Sequence, residues 1–372
     1  MKKITLGIIL LIVVSFGAYM VLCSKNEVES IKIGALFPLT GGLATYGEPA
    51  QKAVQLAVNE INAQGGIDGK KIEVDFQDHK CDSKIAISSF QQLNSVKDIK
   101  LYMGVGCSGT VLALAPQIKD SILLVSAVTS PKVTGSSPLI FRNYASDADE
   151  SRLFGEYVKN SSYKTLGSIY EETDYAKGLF LNLENNLNGS GVQISKESFV
   201  SGSTDVKTQV TKIKSSNPDV VFVSVQTVSS GDIVLGEMIK QNFKPKHIIV
   251  NENILKSTEL VKKYSVLLEG AISADYVTEN NEKLDNLLKK YKETYGEDCP
   301  QKNICSTMYD NVYLLVDAVK SSDYDVKKIK TYLEQVSFEG TSGTIGFDKN
   351  NDRKNAGYTL FKIKNGNIEK IK

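Results

Sequence analysis

From residue 31 onward the sequence alternates between apolar runs and amphipathic stretches, and this alternation restricts the possible fold more than any other feature. Ile31–Leu39 and Lys71–Asp78 predict strands, and Pro49–Asn62 between them predicts a helix because its apolar residues recur at helical spacing. Strand and helix keep alternating up to the apolar run Ser121–Ala127. Repeated β-α units of this kind form a parallel sheet with helices on both faces.

The same pattern starts a second time with a predicted helix over Asp147–Asn160 and continues to a predicted strand over Gly270–Tyr276. A chain of 372 residues is too long for one ordinary hydrophobic core. No proline-rich linker separates the two series of units. The sequence therefore predicts an α/β fold of two doubly wound parallel-sheet lobes, with a chain that crosses between them more than once.

The N-terminus has a different character. Two lysines precede Ile4–Leu22, a run of 19 residues without charge, and about 20 such residues cross a bilayer. Three fates remain open for this leader of residues 1–23: cleavage as a signal peptide, retention as a membrane anchor, or lipidation at Cys23. Each of them places the residues from Ser24 onward outside the cytoplasm.

Four cysteines follow the leader: Cys81, Cys107, Cys299 and Cys305. An even number in an oxidising compartment predicts disulfides. Cys299 and Cys305 close the short loop CPQKNIC and form the natural local pair, which leaves Cys81 for Cys107. A metal site is disfavoured because the sequence has no C-x-x-C motif and only two histidines.

Composition and motifs argue against two classes of protein. The 44 Lys and Arg residues nearly cancel the 43 Asp and Glu residues, so no basic surface is expected for nucleic acid. No G-x-S-x-G, H-E-x-x-H or Walker A motif occurs, and neither His79 nor His247 has an obvious catalytic partner. A dyad of Cys107 and His79 is conceivable, but a disulfide-bonded Cys107 cannot attack. We therefore expect no enzyme and no cofactor.

The stretch GVGCSGT at residues 104–110 matches the G-x-G-x-x-G pattern of dinucleotide-binding turns. It follows the third predicted strand rather than the first, and no acidic residue ends the next strand, so the match is weak. The same glycines, the Ser108 hydroxyl and a helix start favour a smaller anion such as a carboxylate. Thr129 follows the neighbouring strand, where ligands of open sheets bind. The alternative is that Ser108 and Thr129 are only helix caps.

Glu252 is the least ordinary carboxylate of the sequence. It follows the apolar run HIIV, at the predicted carboxyl end of a strand, where an acid points into a crevice. A capping or hinge acid is the alternative.

The assembled stretches resemble the periplasmic binding proteins of the leucine/isoleucine/valine type, the solute-binding components of ABC importers. The matching stretches are IKIGALFPLTGGLATYG, AVNEINAQGGIDGKKIEVDFQDHKCDSKIA, GVGCSGT, LLVSAVTSP, IYEETDYAKGL and the FDKNND turn with the last hairpin. The resemblance implies the type I fold of these proteins, whose two lobes close around an amino acid. The implied lobes are residues 24–146 with 277–350 and residues 147–276 with 351–372, with a hinge near Asp147, Tyr276 and Asn350.

The resemblance also implies ligand contacts, carried over by position. Ser108 and Thr129, with the main chain of Ser108, Ala127 and Thr129, would hold the α-carboxylate of the amino acid. Glu252 would take its α-ammonium.

Further contacts concern the side chain of the ligand. Tyr46 matches an aromatic that lies against this side chain, and Tyr175 matches an aromatic of the second lobe that faces the ligand. The sequence departs from the family where Gly and Tyr follow a strand of the second lobe, because it has Val225-Gln226-Thr227 there. Gln226 and Thr227 are thus candidate contacts, and a more polar amino acid or a short amide is an open alternative.

The implied function is capture of an amino acid, first of all a branched-chain one, by an extracytoplasmic monomer that delivers it to an ABC permease. A ligand-sensing receptor domain of the same fold is the alternative. The Cys81–Cys107 pair matches a disulfide of the family, whereas Cys299–Cys305 lies outside its core pattern.

Overall fold

The computed structural model describes residues 30–322 and 324–371, and the leader lies outside them. The described chain forms two large sheets covered by helices and a third sheet of the two strands Phe338–Gly340 and Gly343–Ile345, and this architecture confirms the predicted α/β fold. The strands are β1 (Ile31–Phe37), β2 (Ile72–Asp78), β3 (Leu101–Val105), β4 (Ile122–Ser126), β5 (Ile140–Arg142), β6 (Thr165–Glu171), β7 (Gln193–Phe199), β8 (Val220–Ser224), β9 (His247–Val250), β10 (Ile272–Tyr276), β11 (Phe338–Gly340), β12 (Gly343–Ile345), β13 (Tyr358–Lys364) and β14 (Asn367–Lys370).

The α-helices are α1 (Ala44–Ala63), α2 (Ser83–Gln91), α3 (Ser108–Leu114), α4 (Asp147–Lys159), α5 (Ala176–Leu187), α6 (Lys207–Ser215), α7 (Val228–Lys240), α8 (Glu252–Leu255), α9 (Thr258–Lys263), α10 (Glu282–Tyr295), α11 (Lys302–Lys320) and α12 (Val326–Gln335). A π-helical turn covers Gln92–Val96, and a 3₁₀ turn covers Pro131–Val133. Within the described ranges, no helix has both the length and the apolar character needed to span a membrane.

The first sheet has the strand order β2-β1-β3-β4-β5, and its pairs are parallel. The second sheet has the order β14-β13-β10-β9-β8-β6-β7, in which β6 to β10 pair in parallel and β13 and β14 are added antiparallel. We call the first sheet with α1–α3 and α10–α12 the first lobe. The second sheet with α4–α9 is the second lobe.

Alternation along the buried strands explains why helices cover both faces of each sheet. In β1, Ile33 and Phe37 pack in a core with α1 and α11, whereas Leu36 belongs to another core under α2 and α3. In β8, Val221 packs with α6 and α7, and Phe222 packs with α4 and α5. Strands that are buried on both faces read as nearly continuous apolar runs, which is the pattern that the sequence shows.

The described chain passes between the lobes three times: between β5 and α4, between β10 and α10, and between β12 and β13. On the third passage Asp352 and Arg353 still form bridges to Arg142 and Phe347 of the first lobe. This passage therefore lies after residue 353 rather than at Asn350. With that adjustment, we propose the division into lobes that the sequence implied.

The start of α1 differs from the prediction, because the helix begins at Ala44 rather than at Pro49. Gly47 permits the earlier start, since a Cβ atom there would lie 2.1 Å from the carbonyl oxygen of Pro38. The added turn carries Tyr46, whose hydroxyl reaches the second lobe. Close backbone packing thus places an aromatic side chain between the lobes.

Candidate ligand-binding site between the lobes

A small cavity lies between the lobes, beside the loops that follow strands of both sheets. Open α/β sheets bind ligands at this edge. The predicted contacts that line it are Tyr46, Ser108, Ala127, Thr129, Tyr175, Gln226 and Glu252. Leu43, Gly106, Cys107 and Asn253 complete the lining.

Thr227 is the predicted contact that is not among the lining residues. Its hydroxyl accepts a hydrogen bond from the Ser230 amide at 3.1 Å and so caps α7. Its methyl group faces Gly42 of the first lobe, where a Cβ atom would lie 3.0 Å away. Thr227 therefore caps α7, and its contact with a ligand stays a prediction.

Main-chain amides dominate the wall that the first lobe contributes. Cys107 and Ala127 have φ angles of 53° and 51°, a left-handed conformation that is costly for residues with a side chain and that clusters at functional sites. These turns leave the amides of Ser108, Ala127 and Thr129 without a hydrogen-bond partner among the described residues. Unpaired amides around one concavity form an anion-binding surface.

Both predicted disulfides are present, and Cys81–Cys107 ties this wall to the loop after β2. His79 is buried and its Nδ1 accepts a hydrogen bond from the Cys81 amide at 3.0 Å. Burial lowers the pKa of His79 to about 4. Because Cys107 has no free thiol, it cannot form a nucleophilic dyad with His79. No His, Cys, Asp and Glu side chains of residues 30–322 and 324–371 form a group suited to a metal ion.

The hydroxyl groups of Ser108 and Thr129 differ in what they can offer a ligand. Ser108 Oγ accepts a hydrogen bond from the Ser130 amide at 3.2 Å, so its own proton is free to be donated. Thr129 Oγ1 donates to Asp147 Oδ2 at 2.9 Å, so its proton is already used. The Thr129 hydroxyl therefore has no proton left to donate to a carboxylate but keeps the capacity to accept, and carboxylate binding by the main chain of Thr129 stays a prediction.

A buried arginine that sequence reasoning missed holds the loop after β4. Arg142 Nη1 donates to the carbonyl oxygens of Val128, Thr129 and Ser130 at 3.3, 3.2 and 3.0 Å. Its Nε and Nη2 bind both carboxylate oxygens of Asp352, at 2.8 and 2.6 Å. The sequence signal is an arginine inside the apolar run LIFRNY, and its carboxylate partner is 210 residues away. Arg142 thus fixes the main chain of the loop that lines the cavity.

Side chains rather than amides form the wall that the second lobe contributes. Asn251 donates from Nδ2 to Tyr175 Oη at 2.9 Å and to the carbonyl oxygen of Val225 at 2.8 Å. These bonds hold the Tyr175 ring against the cavity. Tyr46 of the first lobe donates to Asn253 Oδ1 at 2.5 Å, in a buried bond between the lobes. Sequence reasoning missed both asparagines, because the run VNEN reads as a loop after a strand.

Buried and half-buried charges lie around Glu252, and we call Asp147, Glu150, Glu252 and Asp275 with Lys256 the acidic cluster. Lys256 Nζ lies 2.9 Å from Glu252 Oε2 and 2.8 Å from Asp275 Oδ1. Both oxygens of Glu150 are buried without a hydrogen-bond partner among the described residues. Lys256 thus pairs with two of the four carboxyl groups, and a further cation would stabilise the ionised forms in the cluster.

Burial changes the acidities within the acidic cluster. Burial, together with the nearby Glu252, raises the pKa of Asp147 to about 7. Burial also raises the pKa of Asp275 to about 6 and that of Glu150 well above its usual value. Burial lowers the pKa of Lys256, but Asp275 and Glu252 outweigh this effect and raise it well above its usual value. Lys256 therefore stays charged at neutral pH, while some of the carboxyl groups hold a proton.

Comparison with known proteins agrees with this geometry. The periplasmic binding protein family matches residues 30–367. A relative in Pseudomonas aeruginosa, the leucine-, isoleucine-, valine-, threonine-, and alanine-binding protein, is 23% identical over 341 residues that cover 90% of each chain.

Two solved structures share the fold over nearly the whole described chain. A leucine binding protein from Thermotoga maritima has a TM-score of 0.80 at 21% identity, covering 92% of this chain and 98% of that one. The branched-chain amino acid transporter substrate binding protein from Streptococcus pneumoniae, solved in complex with isoleucine, has a TM-score of 0.74 at 25% identity and the same coverage. With the family match over residues 30–367, the two sheets and the cavity between them, the chain belongs to the periplasmic binding protein family.

Proposed function

We propose that this protein captures an amino acid of the branched-chain type between its lobes and delivers it to an ABC permease. One observation carries the proposal: unpaired amides and the Ser108 hydroxyl line the same small cavity as the Glu252 carboxylate. These groups complement the two charged ends of an amino acid. Relatives named for the binding of leucine, isoleucine and valine support the ligand class.

The first-lobe wall is proposed to hold the α-carboxylate. The amides of Ser108, Ala127 and Thr129 supply main-chain donors, and the Ser108 hydroxyl supplies a further one. A buried carboxylate is costly unless it is hydrogen-bonded, and donors that are already fixed bind it without a further ordering cost.

The second-lobe wall is proposed to hold the α-ammonium through Glu252, with Tyr175 closing the cavity beside it. A buried ammonium needs a carboxylate partner, because desolvation of an isolated cation is expensive. Tyr46 and Leu43 offer apolar surface to the ligand side chain. The two ends of one ligand are thus assigned to different lobes.

This assignment makes closure of the lobes depend on the ligand. An amino acid that binds the first lobe through its carboxylate reaches Glu252 only when the lobes are together. Because the ligand makes more contacts in the closed form, it shifts the population toward that form. The Tyr46–Asn253 bond between the lobes adds to the stability of the closed form.

A more polar ligand is the second candidate. Gln226, which has a polar side chain, lines the cavity and favours such a ligand. The main-chain N–H of Gln226 donates to Glu171 Oε2 at 2.7 Å, and its main-chain carbonyl oxygen accepts from Asn253 Nδ2 at 3.0 Å. A polar amino acid or a short amide in this cavity would suit either a transport or a sensing role.

The remaining assignments rest on family membership. An extracytoplasmic location fits a periplasmic binding protein with two disulfides. We further propose a monomer that is not an enzyme, needs no cofactor and meets its permease at the membrane. Anchoring by residues 4–22 or by a lipid on Cys23 would keep it there.

A thermal-shift screen of the purified full-length protein in mild detergent tests this function. A ligand at 100 times its Kd adds about 2.7 kcal/mol of stability, so binding is visible as a rise in Tm. We expect a rise with leucine, isoleucine or valine. A rise with polar amino acids or amides alone would establish the second candidate, and no rise with any of the twenty amino acids would contradict the proposal.

A further inference from the structure

Three glycines lie where the lobes touch, and each faces a side chain of the opposite lobe. The contacts, given as the distance from a Cβ atom placed on the glycine, are Gly42 to Thr227 Cγ2 at 3.0 Å, Gly109 to Asp174 Oδ2 at 3.2 Å and Gly178 to Ser130 Oγ at 3.1 Å. We call Gly42, Gly109 and Gly178 the glycine seam. Non-bonded carbon atoms pack best at about 3.5–4.0 Å, so even one methyl group would crowd each of these contacts.

Backbone conformation does not explain the glycine seam. Gly41 and Gly106, which are close by in the chain, have φ angles of 84° and 62°, where glycine avoids the strain of a side chain. The three members of the seam are not among the glycines with positive φ. Gly178 even lies inside α5, where alanine is the better helix former. The space between the lobes therefore accounts for glycine at these positions.

The glycine seam borders the cavity but does not line it. Each member lies within three residues of a side chain that does line the cavity: Leu43 follows Gly42, Ser108 precedes Gly109, and Tyr175 precedes Gly178. Surfaces that touch beside a cavity keep water out of it, and exclusion of water strengthens the electrostatic contacts inside. A change in the seam therefore alters how the lobes meet without removing a group that faces the ligand.

We propose that the glycine seam sets how closely the lobes approach, so that a methyl group on it holds the lobes apart while each lobe keeps its own fold. This inference rests on the proposed function, in which an amino acid favours the closed form, and it names the residues that make room for closure. Because an amino acid reaches both walls only in the closed form, a crowded seam weakens binding without touching the ligand.

A pair of charged residues reports directly on contact between the lobes. Lys132 Nζ of the first lobe lies 3.4 Å from Asp174 Oδ1 of the second lobe, and both side chains are half-exposed. A carbodiimide couples an amine to a carboxylate that touches it, forming an amide with loss of water, so it joins this pair efficiently only when the lobes are together. Lys212 and Glu197, 3.1 Å apart within the second lobe, give a product that does not depend on closure. Mass spectrometry of peptides from the treated full-length protein measures the ratio of the two products.

Gly178→Ala tests the inference with the smallest change. Overpacking by a methyl group corresponds to about a fivefold change in an equilibrium, so we expect the ratio of the Lys132–Asp174 product to the Lys212–Glu197 product to fall about fivefold without ligand. The affinity for L-leucine, measured by titration calorimetry, should fall by the same factor. Gly178→Leu should lower both by about a hundredfold, because a larger side chain cannot be accommodated by small shifts. The Tm without ligand should not fall in Gly178→Ala, since alanine favours α5.

A second substitution on the opposite lobe should restore closure. Ser130 Oγ is buried without a hydrogen-bond partner among the described residues, and Ser130 Cβ would lie 4.0 Å from the methyl group added at Gly178. Ser130→Ala removes only this oxygen, so Gly178→Ala combined with Ser130→Ala is expected to recover both cross-linking and affinity.

Gly236→Ala is the matched control. A Cβ atom on Gly236 would lie 3.0 Å from Tyr264 Oη, but both residues belong to the second lobe. This variant is crowded to the same degree and is expected to keep the wild-type ratio of cross-linked products.

The inference is overturned if Gly178→Ala and Gly178→Leu both cross-link as the wild type does, or if Ser130→Ala does not restore Gly178→Ala. It is also overturned if the wild type forms no Lys132–Asp174 product, with or without L-leucine, in samples that contain the Lys212–Glu197 product. A wild type that binds no amino acid, but loses the Lys132–Asp174 product on Gly178→Ala, would contradict the proposed function and still support the role of the seam.

Discussion

The two walls of the cavity hold their chemistry in different ways. The first-lobe wall presents main-chain amides, which the Cys81–Cys107 bridge and Arg142 fix from behind. The second-lobe wall presents side chains, and its central carboxylate, Glu252, shares Lys256 with Asp275. Amides carry no titratable charge, whereas the acidic cluster exchanges protons near neutral pH. We infer that the first wall is a preformed anion site and that the second wall sets selectivity and the response to pH.

Removal of Arg142 should break the first wall and have the largest effect on the fold. Arg142→Ala leaves Asp352 and three loop carbonyl groups without their donor, and loss of one partner of a buried ion pair costs about 3–5 kcal/mol of unfolding free energy. Urea unfolding measures this loss. Arg152→Ala, which removes an exposed arginine with surface pairs, should cost about 0–1 kcal/mol. Equal losses in the two variants would show that Arg142 does not hold the wall.

Neutralising Glu252 should break the second wall and leave the first intact. Glu252→Gln or Glu252→Ala leaves the ligand ammonium without its carboxylate, which weakens amino acid binding by about 2–5 kcal/mol. Titration calorimetry gives the affinity. Glu259→Gln, an exposed acid with the same change in charge, should bind as the wild type does. Unchanged affinity in the Glu252 variants would refute the role assigned to this residue.

Removing the Cys81–Cys107 bridge should loosen the first wall without changing a ligand contact of the second wall. Replacing both cysteines by serine should cost about 3.5 kcal/mol of unfolding free energy for a sequence separation of 26, and it should also weaken ligand binding. Cys299–Cys305, with a separation of 6, should cost about 2 kcal/mol when it is removed and leave affinity unchanged. Denaturation measures the stability of both double variants, and titration with the ligand measures their affinity. An equal loss of ligand affinity in the two double variants would contradict the expected difference.

Tyr46→Phe should have the smallest effect, since it removes one hydrogen bond between the walls. The lost bond to Asn253 should weaken ligand binding by about 1 kcal/mol, because it exists only when the lobes are together. Tyr324→Phe removes a similar bond to the Lys32 carbonyl within the first lobe and should not change affinity. If both variants bind the ligand equally well, the Tyr46 bond does not contribute to closure.

The first wall could be predicted from local sequence patterns. Glycines, Ser108 and Thr129 follow apolar runs, and the carboxyl ends of neighbouring parallel strands must meet at one edge of a sheet. The cysteine count suggested the two disulfides. What this reasoning missed was the direction of the Thr129 hydroxyl, because a hydroxyl can donate or accept and its partner Asp147 lies 18 residues away.

The acidic cluster could not be predicted in the same way. Asp147 and Glu150 begin a helix, where acids are ordinary because they favour the positive end of the helix dipole. Lys256 follows Glu252 by one turn and reads as a surface ion pair. Packing of α4, α8 and β10 within the second lobe brings these side chains together, and one sequence contains no signal for such distant contacts.

A crystal structure of the protein grown with L-leucine would show where each end of the ligand lies and so tests the roles of the two walls. We expect the carboxylate within hydrogen-bond distance of the Ser108 hydroxyl and the amides of Ser108, Ala127 and Thr129. We expect the ammonium at the Glu252 carboxylate. A ligand bound in the reverse direction, or outside the cavity between the lobes, would contradict the division of roles between the two walls.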